Sequence, residues 1–231
     1  MYRVPYQPYY VQPVQYPYLY PVVPVYYHPN MTTPEDMRWS NKKVTKPADC
    51  WSQAEVDLNN LWRMLWEQHG AWTRMAIISI VAGSPDETVT VNRLLRNPGD
   101  MAAALEPYYG EAAANRYKQL LTEHLVLAAD LVKAAKAGEA TKAAEIEAKW
   151  YKNGDEIAAF LSSINPFWHE ETFRRMFHQH LDYVKEEAVT QLNQQYEQSV
   201  ATYDKMEQQI LDMADHFTQG IIKQFPMKFG R

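Results

Sequence analysis

From Trp51 onward, apolar residues recur every three or four positions, and glycine or proline interrupts the pattern at only a few places. A chain with that period buries one stripe of each helix against another helix, which confines it to an all-α packing. Ser52 and Glu55 predict a capping box. It opens the stripe Leu58, Leu61, Trp62, Leu65, His69, Trp72, Met75 or Ala76, and Ile80, which Gly83 stops. Trp62 and Trp72 are expected in the core, with Trp66 turned toward a partner or a neighbouring short helix. Ser84-Pro85-Asp86-Glu87 and Asn97-Pro98-Gly99-Asp100 both read as starts of short helices. The second is bent by Pro107 and ended by Gly110. Three further breaks follow, at Gly138, at Asn165-Pro166 and at Asn193-Gln194-Gln195, the last without glycine or proline. They divide the remainder into helices over 111–137, 140–164, about 168 to beyond 190, and a final stripe from Tyr203 to Ile221. The expected fold is an all-α antiparallel bundle of four to five long helices with two short inserted helices, spanning residues 51–226 and followed by a C-terminal tail at 227–231.

Residues 1–30 have a different composition. They carry nine of the sixteen tyrosines and seven of the fourteen prolines, with Arg3 as the one formal charge. Proline at that density forbids helix and interrupts sheet ladders, so the sequence predicts an extended, disordered segment with polyproline II character. Tyrosine offers a flat apolar ring and a hydroxyl. Tyr2, Tyr6, Tyr9, Tyr10, Tyr16, Tyr18, Tyr20, Tyr26 and Tyr27 are therefore candidate assembly residues, contacting protein partners or other copies of the chain. Residues 31–50 read as a polar linker.

Charge and composition exclude several functions. The net charge is −5 and the only basic cluster is Lys42, Lys43 and Lys46, so a nucleic-acid partner is not expected. Tyrosines and prolines break any apolar run at the start, which argues against a signal peptide, and the longest apolar run, 75–83, is far too short to span a bilayer. A cytoplasmic location is the expectation from these features. The eight glycines never fall closer than ten residues apart, so no phosphate-binding loop can be built. Gly-x-Ser-x-Gly is also absent, and Cys50 stands alone. The reading is a non-catalytic module.

The one chemical signal is histidine. His69, His124 and His180 each end a similar pentad on an inward stripe: 65–69, 120–124 and 176–180, at steps of 55 and 56 residues. Two readings stay open. In the first, each neutral imidazole bonds across the bundle to a polar core partner, with Asn153, Tyr117 and Tyr183 as candidates and no cofactor required. In the second, His69, His124 and His180 join Asp212 and His216 around a divalent metal such as Zn, Fe or Mn. Glu-x-x-His and His-Glu-x-x-His motifs are absent. The register also suggests an internal repeat, with 120–164 falling on 176–220 at an offset of 56 and Gly138 falling on Gln194.

Five segments carry a resemblance: Leu-Trp-Glu-Gln-His (65–69), Trp-Thr-Arg (72–74), Asn-Arg-Leu-Leu-Arg-Asn-Pro (92–98), Leu-Val-Lys-Ala-Ala-Lys-Ala-Gly (131–138) and Lys-Gln-Phe-Pro (223–226). Through them residues 61–226 resemble an uncharacterised family of helical proteins from spore-forming Gram-positive bacteria. Its members often carry the automatic label acetylglutamate kinase. Enzymes of that name have an α/β sandwich with glycine-rich nucleotide loops, a pattern from which this chain departs, and none of their nucleotide-binding residues carries over. The Tyr/Pro segment separately resembles tails of spore coat proteins, which implies the spore coat as the alternative to a cytoplasmic location.

Overall fold

The computed structural model describes residues 50–231, and the Tyr/Pro-rich segment with its nine tyrosines lies outside them. Helix α1 spans Gln53–Ala82, α2 Glu87–Leu94, α3 Asn97–Lys136, α4 Ala140–Ile164, α5 Glu170–Leu192 and α6 Tyr196–Gln224, followed by a 3-10 turn at Pro226–Phe229. No strand occurs among the described residues. No described helix is long and apolar enough to cross a membrane.

Five helices close a ring in the order α1, α3, α4, α5, α6, with α6 returning to α1 and α2 lying on α1. Directions follow from the pairings. Along α1 and α6, Arg63 meets Asp215 and Arg74 meets Ser199, so the two run antiparallel. Helices α3 and α4 form one antiparallel hairpin and α5 and α6 another. Lys136 donates to the Ile80 carbonyl at 2.7 Å, which brings the C-terminal ends of α1 and α3 together.

Local signals set the boundaries. Ser52 and Glu55 form the capping box. Gly83 ends α1 with φ 63°, a conformation that costs glycine little. The hairpin turns at Gly138 (φ 71°) and Gln194 (φ 59°) are both left-handed, although only the first has glycine. The first short helix stands as expected, as α2, and the second differs in form. The segment after Pro98 runs into the long helix as one element, sharply kinked at Gly110 (φ 79°, ψ 168°) with Pro107 one turn before it. Asn97 begins this element but does not cap it, because its side chain points into the core.

The core differs from the sequence stripe on one helix. Trp66 is fully buried, whereas Trp72 is half-buried and Leu61 and Met75 are exposed. Helix α1 contacts α3, α5 and α6 as well as α2. Its buried face is therefore broad and centred on Trp62, Trp66, His69, Thr73 and Ile77. Phe217 of α6 is the aromatic hub, with ring centroids 4.6 Å from Trp62, 5.2 Å from Trp168 and 5.3 Å from Phe173. Trp168, in the loop before α5, lies across α6 and donates its indole N–H to the His216 carbonyl at 3.2 Å. That approach requires Gly220: a Cβ there would stand 1.9 Å from the indole nitrogen.

Gly220→Ala and Gly154→Ala should therefore have opposite effects although both glycines are mid-helix. At Gly154 a Cβ meets side chains at 3.6 Å, an ordinary contact. Gly154→Ala should gain up to about 1 kcal/mol from helix propensity. Gly220→Ala should lose roughly 1–3 kcal/mol through overpacking against a rigid ring. Urea denaturation midpoints of the two variants check the sign of each.

Candidate functional site

Three histidines meet the centre of the bundle from α1, α3 and α5; His69 and His124 are held the same way, and His180 has an amide in the equivalent place without the bond to its ring. The side-chain amide of Asn97 donates to the Leu65 carbonyl at 2.9 Å, so its oxygen faces His69 Nδ1 at 3.1 Å. In α4, the Asn153 amide donates to the Leu120 carbonyl at 3.1 Å and presents its oxygen to His124 Nδ1 at 2.9 Å. In α6, the Gln209 amide donates to the Met176 carbonyl at 3.0 Å. In all three cases the carbonyl belongs to the residue four before the histidine, so each amide ties a neighbouring element to one turn of the histidine helix. The partner amide follows its histidine by 28, 29 and 29 residues (97 − 69, 153 − 124, 209 − 180).

These bonds settle the tautomers of His69 and His124. An amide whose N–H is engaged by a carbonyl can offer the ring only oxygen, so each Nδ1 carries the proton and each Nε2 a lone pair. His69 Nε2 faces His180 Nε2 at 3.4 Å. His180 Nδ1 and Gln209 Oε1 are buried and have no hydrogen-bond partner. Burial drives all three imidazoles toward the neutral form. The His69 pKa falls to about 4, with the Asn97 bond opposing, and that of His124 to about 3, with Asn153 opposing. His180 also lies well below the ordinary value, through burial first and then repulsion from His69 and His124, with Gln209 opposing. Trp66 closes the pocket edge-on, its ring centroid 5.3 Å from His69 and 6.3 Å from His180.

The other candidates fall elsewhere. Asp212 and His216 are exposed on the outer face of α6, and His216 Nδ1 donates to the Asp212 carbonyl within the helix at 2.9 Å. They follow Gln209 along the same side of α6, but their side chains stand at the solvent edge and reach none of the buried imidazoles. Asn153 partners His124 as expected. Tyr117 and Tyr183 partner no histidine: the Tyr117 hydroxyl contacts Met101 Sδ at 3.8 Å, and Tyr183 accepts from Gln179. Asn97, which bonds His69, and Gln209, which stands in the equivalent place on the Met176 carbonyl, are the amides that sequence reasoning missed, and the constant 28–29 residue offset was the available signal. Among the described residues no group of three or more His, Cys, Asp or Glu is arranged to hold a metal ion.

A second polar cluster joins α1, α5 and the start of α6. Arg74 pairs with buried Glu187, donates to the Ser199 carbonyl at 3.3 Å, and lies 5.0 Å over the Tyr203 ring. Burial raises the Glu187 pKa to about 7 against the pull of Arg74. Arg93 donates to Gln68 and stacks on Trp72. Between α1 and α2 a groove of about 720 Å³ is lined mainly by apolar side chains, including Trp72, Met75, Ile78 and Val89. Its Asp86 is engaged by Ser79 at 2.5 Å.

Two outcomes follow from the buried imidazoles. Removing the His124 clasp with Asn153→Ala should cost about 2 kcal/mol, because it leaves a buried N–H without an acceptor. Tyr117→Phe should cost well under about 1 kcal/mol, since only a weak sulfur contact is lost. The histidines take up protons on unfolding at a pKa near 6.5 but in the native state only near 4 and 3. Their stabilising contribution is therefore complete above pH 6.5 and declines as pH falls toward those native values. Between pH 7 and pH 5 the loss should be about 2 kcal/mol for each of His69 and His124. Urea midpoints at the two pH values, in buffer with EDTA so that no cation competes for the rings, measure it.

Comparison of the chain with protein-family models, with curated proteins and with solved structures finds no match to any of them.

Proposed function

We propose that residues 50–231 act as a non-catalytic structural module and that the Tyr/Pro-rich segment attaches it to protein partners or to further copies of the chain, in a setting such as the spore coat. One observation carries this reading: the polar groups at the bundle's centre bind backbone carbonyls of adjacent helices instead of converging on an open cleft. Asn97, Asn153 and Gln209 each bond a carbonyl on the histidine helix, an arrangement that fixes which helices pair and in what register.

The module is built on an internal repeat. The hairpin α3–α4 and the hairpin α5–α6 match at an offset of 56, with His124 on His180, Asn153 on Gln209, Leu120 on Met176 and Gly138 on Gln194. The left-handed backbone at both Gly138 and Gln194 supports that register. His69 and Asn97 supply a third, less regular copy from α1 and the start of α3. The resemblance of residues 61–226 to helical proteins of spore-forming bacteria agrees with a structural role there.

Sedimentation velocity of the full chain tests the attachment. The purified chain should self-associate as concentration rises, and replacing the nine N-terminal tyrosines by serine should abolish this without changing the helical circular dichroism or the thermal transition. Equal association of the two chains, or none in the parent, would show the reading to be wrong.

A further inference from the structure

The hydrogen bonds linking α1 to α5 through the two facing histidines do not balance. At one end the Asn97 oxygen points inward because its amide holds Leu65. At the other end the Gln209 amide holds Met176, which leaves Gln209 Oε1 without a donor. Two imidazoles stand between these amide oxygens. Three gaps need filling: oxygen to His69 Nδ1, His69 Nε2 to His180 Nε2, and His180 Nδ1 to the Gln209 side. Two neutral imidazoles carry two N–H protons between them. One proton satisfies Asn97. If the other sits on His180 Nδ1, two lone pairs confront each other at 3.4 Å. If it sits on Nε2, the His180 Nδ1 lone pair and the Gln209 oxygen are both stranded in the core. Either way one pair of acceptors faces each other with no donor between them, at a cost of a buried unsatisfied group.

We propose that a divalent transition-metal ion of the zinc or cobalt class binds between His69 Nε2 and His180 Nε2. The separation suits it. Two nitrogens bound at about 2.05 Å to a tetrahedral ion stand about 3.3 Å apart, and these two are at 3.4 Å. The second shell is of the kind metal-bound histidines use. Asn97 takes the His69 Nδ1 proton, which fixes the ring plane and leaves Nε2 free to ligate. With the ion on His180 Nε2, that ring's proton sits on Nδ1, on the side where Gln209 Oε1 otherwise has no donor. His124 Nε2 is the further imidazole of the same centre. Its charge acts on both rings of the pair, which makes it the candidate third ligand. The site goes beyond the structural role proposed above, since it would tie α1 to α5 across the ring where those helices touch.

A site this deep loads as the chain folds. The test is therefore to unfold the full chain in urea with EDTA, refold it with Zn(II) or Co(II), remove free ion, and measure metal by elemental analysis. The expected result is one ion per chain, a higher thermal midpoint than the metal-free chain, and ligand-field absorption in the Co(II) form. His180→Gln should abolish one-to-one loading, Asn97→Ala should weaken affinity by about 10–100-fold, and His216→Gln should change nothing. If His180→Gln fails to fold, imidazole 15N NMR of the parent chain decides. Zn(II) must then shift His69 and His180 Nε2 and leave His216 unchanged. Refolded parent chain without retained metal, loading that His180→Gln preserves, or an imidazolium shared by His69 and His180 at neutral pH with no metal uptake would each overturn the proposal.

Discussion

The three-part clasp of backbone carbonyl, side-chain amide and imidazole is the constraint on which the bundle's pairing rests. Apolar packing between helices tolerates small slides and rotations, because burying greasy area is non-directional. A buried imidazole does not tolerate them. A slide of one turn in α4 would withdraw Asn153 from both His124 and the Leu120 carbonyl and leave two polar groups without partners in the core. The same applies to Asn97 against α1 and to Gln209 against α5. The histidines thus act less as sources of net stability than as pegs that select one register among several that the apolar stripes would accept.

Around those pegs the packing is close enough to depend on missing side chains. Gly70 admits Ile210 of α6, which would stand 2.5 Å from a Cβ at that position. Gly220 admits the Trp168 indole. Both bring α6 tight against its neighbours and build the aromatic cluster around Phe217. At the edge of that cluster Asn165 joins the end of α4 to Tyr109, and Tyr109 joins the kinked part of α3 to Gln224. The kink at Gly110 is what lets one continuous segment serve first α1, through Asn97, and then α4, through His124.

Much of the architecture was legible because helical period and turn chemistry are local. The capping box at Ser52 and the stops at Gly83, Gly138 and Asn165 follow from short-range rules, whereas the glycine-free turn at Asn193 to Gln195 was placed by the bundle's need for a hairpin and by the fall of Gly138 on Gln194. The inward histidines and Asn153 were legible from the stripes. Trp66 and Leu61 were misplaced, Trp72 is only half-buried, and of Met75 and Ala76 it is Ala76 that is buried, because a single stripe assumes one facing neighbour, whereas α1 has neighbours on several sides. Asn97 read as a cap, since asparagine before proline is a common helix start. Only the fold shows its amide turned inward to Leu65 and His69. Asp212 and His216 shared a helix with the core without sharing its buried face.

What the sequence by itself determined is the set of helices, their boundaries and the three imidazole levels, because each depends on residues within a turn or two of one another. What only the tertiary structure decided is which amide meets which imidazole and that His69 Nε2 and His180 Nε2 face each other across the ring. Those relations join residues 28 to 111 positions apart. Their geometry depends on how five helices close on themselves, a condition that no local propensity encodes.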